Sequence, residues 1–227
     1  MHDWKEIAGL RVIGRMAEMI NSRWNLGVGF ADEAGKLIEG QEMKRFATRR
    51  PLCELVKSTP AGAELCSRTA KKMLEHHRST GGGEGAALVT CHAGLKGIYV
   101  PVMIDGEEQG LIFSEGMFTG SDIGAQKQAA IERSAGLGLE GEDLERAISK
   151  TAVLSDEAEA YLRDLLELVV REALVYREEV ARKERRLDRL TREMAERSGY
   201  GSIVGKSPPM RELYRLYEEE ANRCLEA

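Results

Sequence analysis

The sequence has no apolar run approaching the roughly 20 residues that a helix needs to span a bilayer. Its N-terminus, MHDWKEIAGLRVIGRMAEMI, is charged and periodic, and it lacks the continuous apolar stretch of a secretory signal peptide. Basic residues are not in excess: the formal net charge is −5, so electrostatics give no support for nucleic-acid binding by this segment. These absences predict a cytoplasmic protein with no membrane partner.

Cysteines are few, and their spacing is not that of a zinc ribbon or knuckle. The chain has Cys53, Cys66, Cys91 and Cys224, with no C-x-x-C pair among them. A disulfide is not expected in a reducing cytosol. Three interpretations stay open: the thiols are buried small hydrophobes, they sense redox state, or Cys53, Cys66 and Cys91 ligate a metal or cluster together with His92.

Signatures of catalysis are missing as well. The sequence shows no H-E-x-x-H motif, no Ser-His-Asp order and no helix with paired carboxylates. Cys91 and His92 are adjacent at a predicted strand end, and neighbours on a strand point to opposite faces, so they should not form a nucleophilic pair. His76 and His77, near a predicted helix end, are expected to be solvated cations. We therefore expect no enzyme.

Hydrophobic periodicity predicts an α+β fold. Apolar residues near the 3.6 period predict a helix over residues 4–22, and two further helices are expected to begin at Pro51 and Pro60, the second ending at Ser79. Five strands are predicted: Leu26–Ala31, Lys36–Glu39, Ala86–Cys91, Ile98–Ile104 and Gly110–Phe113. This order predicts a PAS-like antiparallel sheet with helices on one face and a pocket between the two layers.

A long helix follows, with neither Gly nor Pro from Ser155 to Arg197. Its heptad positions a and d are apolar or aromatic except at Lys183, which predicts a parallel dimeric coiled coil and hence a homodimer. The alternative is a helix that lies back on its own domain. The residues predicted to form the dimer seam are Leu162, Leu166, Val169, Ala173, Tyr176, Val180, Leu187, Leu190 and Met194.

After Gly199 the segment IVGKSPPMRELYRL is very similar to the opening of the AAA+ domain in bacterial activators that work with sigma-54 RNA polymerase. The chain ends at Ala227, before any GESGTGKE-like phosphate loop. The resemblance implies that contacts with sigma-54 RNA polymerase and DNA belong to output domains missing from this chain. We expect either a fragment of a longer regulator or a natural chain that has lost its motor.

The first half of the chain resembles the PocR sensory domain, a PAS-related ligand-binding module of bacterial regulators. The matching pieces are GVGFADEAGKLI, PLCELVKSTPAGAELC and TCHAGLKGIYVPVMIDGEEQGLIFSEGMF, in this order. With the tail, the resemblance implies a sensory domain over 1–153, a coiled-coil signalling helix over 154–198, and a joint with a truncated AAA+ segment over 199–227. It implies sensing of small molecules such as short diols or hydrocarbon derivatives.

The predicted function is therefore a small-molecule-binding regulatory domain of a bacterial transcriptional regulator, which transmits ligand state through a dimeric coiled coil. The alternative is a cysteine-ligated zinc or iron–sulfur redox sensor, with Cys53, Cys66, Cys91 and His92 as ligands. Both interpretations use one location, where the residues expected at the pocket are Cys53, Cys66, Cys91, His92, Tyr99, Met103, Phe113, Glu115 and Met117.

Overall fold

The computed structural model describes residues 4–40, 42–83, 85–104 and 106–197. Its sheet has five strands: β1 (Gly29–Asp32), β2 (Ala87–Thr90), β3 (Lys96–Ile104), β4 (Glu107–Thr119) and β5 (Ala152–Leu154). The first four are antiparallel in the order β1-β4-β3-β2, and β5 pairs parallel to the end of β4. The predicted α+β class, with a PAS-like five-stranded sheet and a long C-terminal helix, is confirmed.

Helices form most of the remaining described chain, and they precede, interrupt and follow the strands. Their bounds are α1 (Trp4–Gly9), α2 (Arg11–Trp24), α3 (Pro51–Lys57), α4 (Pro60–Ser67), α5 (Thr69–Ser79), α6 (Ile123–Ala135), α7 (Glu142–Ser149) and α8 (Asp156–Arg197), with a 3₁₀ turn at Glu42–Phe46. The helix predicted over 4–22 is interrupted at Leu10. The one predicted from Pro60 to Ser79 is interrupted at Arg68.

Several strand ends differ from the prediction, most of all that of β4, which continues from the predicted Phe113 to Thr119, and two elements differ as a whole. The strand predicted at Lys36–Glu39 is only a single bridge, between Ala31 and Leu37, because the Asp32 carboxylate accepts the backbone N–H groups of Ala34 and Lys36 and closes a tight turn. Conversely, β5 was not predicted. Three residues are too few to show a periodicity, and this strand is defined by its pairing with β4.

Helices cover both faces of the sheet rather than one. Ile98, Val100 and Ile112 pack with α1, α2 and α8, whereas Tyr99 and Phe113 on the alternate positions pack with α5. Successive side chains on a strand point to opposite faces. Because β3 and β4 have apolar residues on both faces, helices must pack against both sides of the sheet to bury them.

A β-bulge at Gly116 changes which face the end of β4 presents. In the pairing of β3 with β4, Gly97 faces Glu115 and Lys96 faces Met117, which leaves Gly116 unpaired with φ at 96°. The extra residue reverses the alternation beyond it. Met117 therefore lies in the cluster with α2 and α8, on the opposite face from Phe113.

The first half of α8 is part of the core. Leu162, Leu166 and Ala173, three of the residues predicted for the dimer seam, are buried within their own chain against α1, α2 and the sheet. This is the alternative arrangement, a helix lying back on its own domain, and it holds for α8 as far as Ala173. The ring of Tyr161 lies 5.9 Å from that of half-buried Trp24.

The second half of α8 has exposed apolar side chains. Tyr176, Leu187 and Leu190 belong to the predicted seam and are all solvent-exposed in this single chain. The coiled coil and the dimer stay predictions. Residues 198–227, with Cys224 and the AAA+-like segment, lie outside the described residues, as does the side chain of Met194.

Candidate ligand-binding site

A cavity of about 580 Å³ opens beside β1 and β4. One wall is formed by the sheet, and the other by the segment after β1, the 3₁₀ turn and α3. Its apolar lining includes Val28, Phe30, Leu37, Ile38, Met43 and Phe113, and its charged lining consists of Glu39, Lys44, Arg50, Lys57 and Glu115. The volume lies within the range of about 300–1,000 Å³ that is typical of small-molecule sites.

An ion pair between Arg50 and Glu115 forms the polar side of this cavity. Nη1 of Arg50 donates to Oε1 of Glu115 at 3.2 Å and to the Glu115 backbone carbonyl at 3.1 Å. Both side chains are largely buried, with 23% and 20% of their surface exposed. Burial is the largest single influence on Arg50 and opposes its charge, but the charge and hydrogen bond of Glu115, together with Cys53 and Cys66, raise the pKa of the guanidinium above its usual value.

Two glycines make room for the side chains that shape the site. A Cβ on Gly29 would lie 2.3 Å from Cζ of Phe113, so the ring can cross β1 only where no side chain is present. A Cβ on Gly116 would lie 2.9 Å from Cδ of Arg50 and 3.4 Å from Sγ of Cys53. Glycine at the bulge therefore admits both the backbone conformation and the close approach of Arg50.

The three thiols gather behind the ion pair. Half-buried Cys53, Cys66 and Cys91 all pack against one apolar cluster, formed by α3, α6, α7 and the β2–β3 turn. Burial raises the pKa of Cys53 to about 12 and that of Cys91 to about 11, and it also raises the pKa of Cys66. Burial thus favours the neutral form of each thiol, which is a poor nucleophile.

Cys91 and His92 lie in a turn rather than at the end of a strand. β2 ends at Thr90, and the turn is closed by hydrogen bonds from Cys91 N–H to the Leu95 carbonyl and from Gly94 N–H to the Cys91 carbonyl. Nε2 of His92 lies 3.7 Å from Sγ of Cys66, while its Nδ1 is buried without a hydrogen-bond partner. Burial lowers the pKa of His92, with Lys72 contributing in the same direction.

The predicted metal set is not assembled as a ligand cage. Across the described ranges, no group of three or more His, Cys, Asp or Glu side chains is arranged to hold a metal ion. The thiols share an apolar cluster, and within the set Nε2 of His92 lies 3.7 Å from Sγ of Cys66. The donors present therefore do not fit zinc or an iron–sulfur cluster in this conformation.

Other residues predicted for the pocket are elsewhere. Tyr99 is fully buried beneath α5, where its hydroxyl lies 2.7 Å from Nδ1 of His76. Met117 is on the far face because of the bulge, and half-buried Met103 does not line the cavity. His77 is not solvated as predicted: it is 5% exposed, with Nε2 at 3.5 Å from the Glu108 carboxylate.

Of the nine residues predicted for the pocket, Phe113 and Glu115 line this cavity, and Arg50 was not among those predicted. One signal was present in the sequence, since Arg50 immediately precedes a helix that begins with proline and therefore takes the N-cap position of that helix. The sequence could not show that Glu115, 65 positions away, would lie beside it.

Comparison with known families identifies the module. Residues 6–174, more than half of the chain, match the family described as a sensory domain found in PocR. The chain belongs to the PocR sensory-domain family. The match ends inside α8, so the family assignment includes the half of that helix that packs on the sheet. No curated protein and no solved structure matches the chain.

The PocR domain is a sensory domain, so this chain contains a signal-sensing regulatory module, and membership of a sensory family suggests a role other than catalysis. None of the helices that the structure describes has the length and apolarity required to cross a bilayer.

Proposed function

We propose that this PocR domain binds a small organic molecule in the cavity beside β1 and β4, and that it serves as the sensory part of a cytoplasmic bacterial transcriptional regulator. The observation that supports this most is the combination of an open cavity of about 580 Å³, an apolar lining and one largely buried Arg50–Glu115 ion pair. A mostly apolar pocket with a few convergent polar groups is typical of a small-molecule site.

The proposed route from ligand to output runs along β4. Glu115 lines the cavity, and four residues later Thr119 ends the strand and donates its hydroxyl hydrogen to the Glu159 carboxylate on α8, at 2.8 Å. The side-chain amide of Gln126 on α6 also accepts from the backbone N–H of Thr119 and donates to its carbonyl oxygen. A ligand that displaces Glu115 would change this strand end and the first turns of α8. The free energy by which the ligand shifts the equilibrium between the two conformations cannot exceed the difference between its binding free energies for them.

Binding is tested by thermal-shift measurements on the full chain with short diols, alcohols and carboxylates. Ala47 is exposed and lines the cavity, so Ala47→Phe should fill it and abolish the shift. Ala61→Phe, an exposed alanine on α4 that does not line the cavity, is the matched control and should keep the shift. No shift with any compound, or an undiminished shift in Ala47→Phe, would contradict the proposal.

Transmission is tested separately, by hydrogen exchange in the first turns of α8 with and without a compound that binds. We expect a ligand-dependent change in protection, and we expect Thr119→Val to reduce it while the binding affinity stays unchanged, because Thr119 does not line the cavity. Equal changes in the variant and the parent would rule out the hydrogen bond from Thr119 to Glu159 as the connection.

The alternative, a metal or iron–sulfur redox sensor, draws support from the clustering of the three thiols behind Arg50. It requires a rearrangement that brings their sulfurs together. Anaerobic purification followed by an absorbance scan and metal analysis decides this point. Stoichiometric metal that is lost in Cys53→Ala or Cys66→Ala would favour it over ligand binding.

A further inference from the structure

We propose that the cavity takes an anionic ligand, a small carboxylic acid with an apolar body, rather than a neutral diol. The inference rests on the proposed function, since it assumes that this cavity is the ligand site. It assigns the chemical class of the ligand from the charges and unused hydrogen-bond donors of the cavity wall.

The cavity wall is cationic in a protein that is acidic overall. Its charged residues are Lys44, Arg50 and Lys57 against Glu39 and Glu115, an excess of one positive charge, whereas the whole chain has a net charge of −5. Among described residues neither lysine has an ion-pair partner. A local positive potential in a concave, partly apolar site raises the local concentration of anions and opposes cations.

Arg50 has donors to spare. Its two hydrogen bonds to Glu115 both come from Nη1, and within the described chain no acceptor bonds its Nε or Nη2. A guanidinium is a planar fork that binds a carboxylate through two parallel N–H···O bonds. Because Glu115 and the bulge at Gly116 fix one side of the fork, the remaining donors are held in place before a ligand arrives.

One acceptor of the cavity wall is already engaged. Oε1 of Glu115 accepts from Arg50, so a neutral diol would have to donate its hydroxyl hydrogens to Oε2 of Glu115 or to the carboxylate of Glu39. A carboxylate ligand does not need those oxygens, since it brings its own acceptors to the cations. Its apolar body would lie against Val28, Phe30 and Phe113. The site therefore matches an amphiphilic anion better than a polyol.

The test compares probes of equal shape and different charge by titration calorimetry on the full chain, at constant ionic strength. The pairs are benzoate with benzyl alcohol, and pentanoate with pentane-1,2-diol. We expect each carboxylate to bind about tenfold or more tightly than its neutral partner, the difference typical of a charge-assisted hydrogen bond of about 1.5–3 kcal/mol.

The double variant Arg50→Gln/Glu115→Gln removes the guanidinium without leaving a buried carboxylate unpaired, so it should fold and still lose about tenfold or more of the carboxylate affinity. The matched control is Arg15→Gln/Glu18→Gln, an exposed ion pair on α2 with a separation of 3.1 Å, which should bind as the parent does. Circular dichroism and the midpoint of thermal unfolding check that the variants fold.

The outcomes separate this inference from the function on which it rests. Binding of diols or alcohols without the carboxylates would overturn the anionic class and leave the small-molecule function standing. Equal carboxylate affinity in the Arg50/Glu115 double variant would also overturn the inference, because another group would then hold the anion. Binding of none of the four probes overturns it too. The broader compound panel with Ala47→Phe then decides whether the cavity binds any small molecule.

Discussion

Gly116 is the single residue on which most of the site depends. It is the extra residue of the bulge, it has a left-handed φ of 96°, and its missing side chain leaves space for Arg50 and Cys53. It thus determines both the backbone path and the position of the guanidinium. Any other residue type would strain the backbone and displace Arg50 from its two hydrogen bonds.

Replacing Gly116 by alanine should lower the free energy of unfolding by about 2–4 kcal/mol, through left-handed strain and the contact with Arg50. Gly138→Ala is the matched control, since Gly138 also has a left-handed φ, of 76°, but a Cβ there would meet no atom within 4 Å. It should cost only about 1 kcal/mol. Urea denaturation measures both, and equal losses would show that the contact with Arg50 has no effect.

The buried thiols predict a loss of stability at alkaline pH. Folding raises the pKa of Cys53 from 9.0 to about 12. A group whose pKa is raised on folding contributes its full stabilisation at a pH below the unfolded-state pKa. That stabilisation is lost as the pH rises from the unfolded-state pKa to the folded-state pKa. Between pH 9 and 11, Cys53 should therefore contribute a loss of about 1.4 kcal/mol per pH unit. Urea denaturation of the parent and Cys53→Ala across that range should show a shallower decline in the variant. Parallel declines would contradict the prediction.

For individual site residues, regular strand alternation could be predicted from the sequence, and its interruption could not. Phe113 and Glu115 are two apart on β4 and share the cavity wall, as alternation requires, although the predicted strand ended at Phe113. Met117 is two residues further, and it would share that wall if the bulge were absent. A glycine in a strand can mark a bulge, but the sequence does not say which of several glycines has that role.

Among the elements, α8 best shows how one amphipathic pattern can serve two environments. Leu166 and Leu187 both occupy position a of the same heptad repeat, yet Leu166 is fully buried in the domain core and Leu187 is 62% exposed. Heptad spacing tells which side chains share a face of a helix, but it cannot tell whether a sheet or a second helix covers that face.

Leu166→Ala should therefore destabilise the single chain by about 2–5 kcal/mol, the cost of a cavity in a packed core. Leu168→Ala, two residues later on the same helix and 57% exposed, is the control and should change stability by no more than about 0.5 kcal/mol. Denaturation at two protein concentrations provides the measurement. A loss that grows on dilution would instead place Leu166 in a contact between chains.

For the whole molecule, two kinds of apolar burial are expected, one within the chain and one between copies. The PocR domain has its own apolar core, and α8 contributes to this core as far as Ala173. Within the described part of the chain Tyr176, Leu187 and Leu190 are exposed, and self-pairing of these helices is the predicted way to bury them. The domain boundary at 153 stays a prediction, and the family match extends to residue 174.

We expect the full chain to be a dimer and the variant Leu187→Glu/Leu190→Glu to be a monomer, because burying unpaired charges at the centre of a helical seam has a large free-energy cost. Sedimentation velocity measures the change. The thermal unfolding of the sensory domain should stay the same, because neither side chain belongs to its core. A dimer that persists in the variant would place the contact between copies elsewhere.

The contact between Trp24 and Tyr161 gives this protein a natural optical reporter. The chain has two tryptophans, and Trp24 is the one whose ring lies beside the start of α8, with the Arg23 guanidinium 5.5 Å from the centre of that ring. Indole emission responds to such neighbours. In a Trp4→Phe background, the fluorescence of Trp24 would report movement of the first turns of α8 in real time, without any dye attached.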